Sequence, residues 1–243
     1  MSDNFISNVL NILRLVKASA AELHGHPASG FITKWAGAAL TEPATLRICA
    51  YVQDQCDGAL ELINQSSHTE EEKAGLCQTV QALRNGFSIQ HIQSPLMNQL
   101  PQLDASISFF SILQSSINLS SMSSDIDELH ILIEEVESLI NLFDDPDIDP
   151  IVKTTAKKHL HVLLTLLRNV DAFGVDAAMA AYAELVIRLR RVDSSASETA
   201  RAKVAKIWPI IEKWVGRLAI IDKATNSGQA LLEHAHGLSQ LIS

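Results

Sequence analysis

Apolar residues recur three or four positions apart over long stretches of the chain, the period of an amphipathic helix. A first helix is expected from Asp3 or Asn4 as N-cap to about Leu23, with Phe5, Val9, Ile12 or Leu13, and Val16 sharing one face. The stretch "HGHPASG" interrupts it. A short helix follows from Phe31 to Leu40, and Thr41 with Pro43 opens another that reaches about Asn64. Ser67 precedes Glu70, and Thr69 precedes Glu72, by the spacing of a capping box, so the next helix runs to Arg84.

From Asn85 to Ser124 the only charged residue is Asp104. Pro95 and Pro101 cut the first half of this segment into short pieces, and "QLDASISFFSILQSSINL" forms one helix with Ile107, Phe110, Leu113 and Ile117 aligned. A helix without surface charge is buried on several sides, serves as an interface, or lies on a membrane.

Residues 124 to 143 carry the clearest stripe: Ile126, Leu129, Ile133, Val136, Ile140 and Phe143. Asp149 and Pro150 then open a helix whose stripe is Val152, Ala156, His159, Leu163 and Leu166 or Leu167. The two predict an antiparallel hairpin, with Lys153, Lys157 and Lys158 near the acidic end of the first helix. Gly174 ends the second helix, and another runs from near Asp176 to Arg191. Ser195 and Glu198 supply a further capping box. Val204, Ile207, Ile211, Trp214, Leu218 and Ile221 then keep the helical spacing across Pro209, where a kink or break is expected. A last helix, about Gln229 to Leu241, carries one charge, Glu233.

The expected fold is therefore an all-α multi-helix bundle of about eight to ten helices with a central antiparallel hairpin. Composition changes abruptly near "LSSMSSDIDE", which divides an N-terminal helical region, 1–122, from a C-terminal one, 123–243. An apolar fraction of 47% excludes intrinsic disorder. The net charge of −9 is unevenly spread: residues 125 to 152 hold 10 acids and no Lys or Arg, whereas 153 to 243 hold 8 acids and 13 bases. Nonspecific nucleic-acid binding needs concentrated Lys and Arg on a basic protein, so nucleic acid is not an expected partner. Three cysteines without a CxxC pair suit a reducing cytoplasm, and the N-terminus lacks the basic region of a secretory signal.

Candidate chemistry begins at "ALRNGFSIQH". Arg84, Asn85 and His91 resemble the arginine, polar residue and histidine of the all-helical HEPN ribonucleases, with six positions between Arg84 and His91. That resemblance implies a histidine moving the proton of an RNA 2′-hydroxyl and an arginine stabilising the phosphorane. The same residues also read as a helix end, with Asn85 and Gly86 in the left-handed conformation and Phe87 making the accompanying apolar contact.

Three His-x-His pairs are His24 with His26, His159 with His161, and His234 with His236. Two residues apart on a helix point about 200° from each other, so the latter two pairs do not chelate one ion there. "DDPDIDP" spaces Asp145, Asp147 and Asp149 like half of a calcium loop, but Pro150 occupies the glycine position and Ala156 the bidentate one. Cys49 and Cys56 share a helix face, as buried small residues do. Arg188 to Arg191 with Arg201, Lys203 and Lys206 form a basic stretch suited to pairing with the acidic helix, or to RNA or anionic lipid. No metal and no cofactor are expected.

The run from Asp149 to Leu185 resembles a pattern in uncharacterised bacterial all-helical proteins, carried by Asp149, Pro150, Leu163, Leu167, Arg168, Phe173 and Gly174. It implies a helical fold and a bacterial or phage origin and transfers no functional residue. The favoured expectation is a cytoplasmic, non-enzymatic protein that works by contact with a protein partner or a homo-oligomer, as an adaptor, scaffold or immunity-type subunit of a conflict or defence system. Its contact residues would be Phe109, Ile112 and Leu119 on the uncharged helix and Trp208, Ile210 and Trp214 near the C-terminus. The alternatives are a ribonuclease built on Arg84 and His91 and a membrane-acting effector using the weakly charged C-terminal helices.

Overall fold

The three-four spacing folds as an all-α multi-helix bundle in a computed structural model, which describes residues 4–66, 68–116, 126–145, 148–193, 205 and 207–224. Ten helices lie among the described residues: α1 (Asn4–Leu23), α2 (Ala28–Ala36), α3 (Glu42–Gln65), α4 (Glu70–Gly86), α5 (Leu96–Gln99), α6 (Leu103–Ser116), α7 (Ile126–Leu142), α8 (Pro150–Arg168), α9 (Val170–Asp193) and α10 (Trp208–Ala224). None of them is long and apolar enough to cross a membrane.

Short-range capping sets several of the ends. Thr69 Oγ1 accepts the Glu72 amide at 3.3 Å while Glu72 Oε2 accepts the Thr69 amide at 2.9 Å, which satisfies two donors of the first turn of α4. Asp149 Oδ1 accepts the amides of Ile151 and Val152, with Pro150 in the first helical position. Ser67 lies outside the described residues. α2 runs earlier than its pattern suggested, because Gly37 takes a left-handed conformation at φ 66° and closes the helix well before Leu40.

The chain forms two units: Met1–Ser121 with Asn169–Gly174, and Met122–Arg168 with Val175–Ser243. In the first, α1 packs beside α3 and α6, and α4 also packs beside both, so the four helices close a ring in the order α1, α3, α4, α6. Each neighbouring pair is antiparallel. Asn8 and Gln55 tie α1 to α3, Asp57 and Arg84 tie α3 to α4, Thr79 and Ser106 tie α4 to α6, and Lys17 and Asp104 tie α6 back to α1. The result is an up-down four-helix bundle, with α2 laid on α1 and α3, and α5 on α4.

Its core receives a short piece from the second half of the chain. Phe173 is buried edge-on to Trp35, Asn11 Nδ2 donates to the Asp171 carbonyl at 2.6 Å, and Asn169 Nδ2 donates to the Trp35 carbonyl. Gly174, at φ 79° and ψ 159°, then interrupts α9. A side chain would be strained in that conformation, and a Cβ would meet Asn8 Nδ2 at 3.2 Å.

In the second unit α7 packs against α8 on one side and α10 on the other. Asp144, just after α7, pairs with Lys153 and Lys157, and Glu137 pairs with Arg168, so the partners of α8 descend α7 as α8 ascends. This is the antiparallel hairpin the charge pattern predicted. The buried arc of α7 is Leu132, Val136, Leu139 and Ile140, continued by Phe143 just beyond it, with Leu129 and Ile133 only half-buried. It lies to one side of the predicted stripe because two neighbouring helices share the burial. The break expected about Pro209 falls just before it: α10 starts at Trp208, so the proline stands in the first turn, where its missing amide costs no helical hydrogen bond.

Candidate functional site

Arg84, in the last turn of α4, is held by Asp57 of α3: Nε donates to Oδ1 at 2.6 Å and Nη2 to Oδ2 at 3.4 Å. His91 lies in the turn beyond, its Nδ1 3.1 Å from Ser88 Oγ, and Asn85 is exposed. Arg84 and His91 are engaged by different partners, and none of the three candidate nuclease residues lines the grooves described below. The helix does end here, but not by a left-handed glycine. Gly86 is helical and buried, and a Cβ on it would fall 2.5 Å from Leu96 Cδ1. Its role is to let α5 approach α4, while Phe87 turns inward and stacks on Trp35 at 5.8 Å.

The uncharged helix exposes the residues its pattern singled out. Ile112 is 65% exposed, and Phe109 stands at the edge of a groove of about 550 Å³ between α4 and α6. Gln78, Thr79, Gln99, Gln102 and Ser106 line this groove and no charged residue does. Leu119 lies outside the described residues.

Near the C-terminus the three candidates separate. Trp214 is fully buried, and its indole Nε1 donates to Glu135 Oε2 at 3.0 Å. It belongs to the core of its unit and is not a free contact surface, because the apolar stripe that carries it faces α7. Trp208 is half-buried beneath the Arg190 guanidinium, 5.5 Å from its ring. Ile210 is exposed and helps line a groove of about 380 Å³ between α7 and α10, with Ile131, Leu139, Leu142, Glu134 and Lys213. The signal for Ile131 and Leu142 is present in the sequence: eleven residues apart, they share a helical line beside the main stripe of α7.

Arg217 of α10 donates to Glu128 and to Glu135 of α7, the latter at 3.1 Å. These bonds favour its charged form still further, the one to Glu128 foremost. With the Trp214 bond they set the register of α10 on α7.

Metal and nucleophile readings find little to work with. Among the described residues no three His, Cys, Asp or Glu side chains gather where one ion could be held. His24 and His26 are exposed, His159 is buried and His161 half-buried, and His234 and His236 lie outside the described residues. Asp149 caps α8 and Asp144 pairs with lysines, while Asp147 is outside the described residues. Burial pushes the Cys49 thiol up to about 12 and raises that of Cys56 as well, so neither ionises readily. In the basic stretch Arg188 meets Glu184 and Arg190 covers Trp208, and Arg201, Lys203 and Lys206 lie outside the described residues.

No protein family, curated protein or solved structure matches the chain.

Proposed function

We propose that this chain is a non-enzymatic cytoplasmic protein that acts by contact with other proteins, as an adaptor, scaffold or immunity-type subunit, with a bacterial conflict or defence system as its setting. The observation that carries the reading is the outer face of α6, where Phe109 and Ile112 are exposed on a helix whose one charged residue is Asp104. Fully burying an exposed Phe or Ile gains about 1.5–3 kcal/mol, and covering the part of Phe109 and Ile112 that is still exposed gains a share of that, so this face favours a partner with a neutral, apolar surface. The chain's acidity disfavours nucleic acid as that partner.

The test is quantitative capture from a lysate of the source cells with wild type and Ile112→Glu as parallel baits. Ile112 is exposed, so the variant should keep its helical circular dichroism. A protein retained by wild type and depleted at least about tenfold with the variant is expected, as for loss of a central apolar contact. Identical captured sets would overturn the reading.

A further inference from the structure

The face formed by α7 and α10 has a feature that the α6 face lacks: it is complementary to itself. Ile131 and Leu142 on α7, and Ile210 and Ile220 on α10, are each more than a third exposed. Glu134 and Lys213 line the groove between the helices, and neither makes an ion pair with a described residue. The bonds from Trp214 and Arg217 fix the register of this antiparallel pair. By that register, with Glu135 opposite Trp214, the pairs Leu142 and Ile210, Ile131 and Ile220, and Glu134 and Lys213 each stand within one turn of each other.

Consider a second copy laid face to face on this surface. A two-fold axis parallel to the helices places α7 of one copy over α10 of the other at the same height. Leu142 then meets Ile210 of the second copy, Ile131 meets its Ile220, and Glu134 meets its Lys213, each contact occurring twice. A two-fold axis across the helices at the midpoint of α7, where the overlap of the two copies is greatest, would instead set α7 on α7 and bring Glu134 against Glu134, which like-charge repulsion opposes. The charge pattern selects the first arrangement.

We propose that the α7–α10 face is a homodimer interface, with α7 of each copy packed over α10 of the other. This deepens the protein-contact reading by naming a second copy of the chain as one partner. Two adjacent 17-residue helices present a face about 25 Å long and about 20 Å wide. Covering it on both copies buries about 1,000 Å², the lower end for a specific interface, so a dimer in reversible exchange with monomer is expected.

The test is the molar mass of the purified full chain by light scattering over a concentration series, for wild type, Glu134→Lys, Lys213→Glu and the double variant. Wild type should approach twice the chain mass. Each single reversal should weaken the dimer about tenfold or more, and the double variant should regain most of that loss because the opposite charges again face each other. Both substituted positions are exposed, and circular dichroism checks that each of the three variants is folded. A wild type that stays at chain mass up to about 100 μM overturns the proposal, as do single reversals without effect or a double variant that fails to recover. A monomeric wild type leaves the α6 reading standing on its own capture experiment, so the two failures are distinguishable.

Discussion

His161 is half-buried on α8, and its surroundings oppose the imidazolium form. Burial is the largest cause, the Lys157 and Arg168 charges add to it, and Asp144 works the other way. The folded-state pKa is therefore held below the ordinary 6.5. A group depressed on folding contributes stability that is complete above its unfolded pKa and is lost as pH falls through the folded one, because the unfolded chain takes up the proton first. The urea midpoint of the wild type should fall as pH is lowered from about 7.5 to about 5.5, and that of His161→Gln should fall less. The other eight of the nine histidines are common to both proteins and cancel in the comparison. Equal losses in the two would mean that His161 is not the group responsible. Asp144 is depressed too, chiefly by its hydrogen bond from Lys157, but its contribution is lost only as pH falls through the acid range below the ordinary carboxylate value of 3.8.

Two glycines in α4 show how an element's neighbours decide what one residue type does. Gly75 is exposed, and a Cβ there would meet the edge of the Phe109 ring at an ordinary 3.8 Å. Gly75→Ala should therefore stabilise the protein by about 0.5–1 kcal/mol through helix propensity. Gly86→Ala drives a methyl into fully buried Leu96 and should cost about 1–3 kcal/mol. Denaturant midpoints of the two variants should move in opposite directions, and a stabilised Gly86→Ala would contradict the close contact of α5 with α4. The sequence reading missed this role because the packing partner lies across a loop, whereas a capping glycine is recognised from adjacent residues alone. Caps at Thr69 and Asp149 were legible for the converse reason: donor and acceptor stand two or three residues apart. The exposure of Phe109 and Ile112 was legible too, since both lie off the stripe of Ile107, Phe110 and Leu113 on α6. The burial of Trp214 depended on Glu135, 79 positions away, and helical periodicity says nothing about which helix a stripe will face.

At the scale of the whole molecule, chain order and spatial unit part company at Asn169–Gly174. Read along the sequence, "NVDAFG" is the end of one C-terminal helix and the approach to the next. In space it completes the core of the first unit, with Phe173 against Trp35 and the Asp171 carbonyl on Asn11. Long-range closure of this kind leaves no local signature, because the aromatic partner lies more than a hundred residues upstream and both residues look like ordinary helix-end hydrophobics. The consequence is measurable. Phe173→Ala removes a fully buried ring and should cost about 3–5 kcal/mol, the range for such truncations. Because the ring belongs to the first unit, amide hydrogen exchange under native conditions should accelerate most in α1, α2 and α3, the helices around Trp35. Protection in α7, α8 and α10 should change far less. Faster exchange confined to α7, α8 and α10 would place Phe173 in the core of the second unit and contradict the assignment. Faster exchange centred on α1, α2 and α3 would show that the first half of the chain depends on six residues supplied from the second.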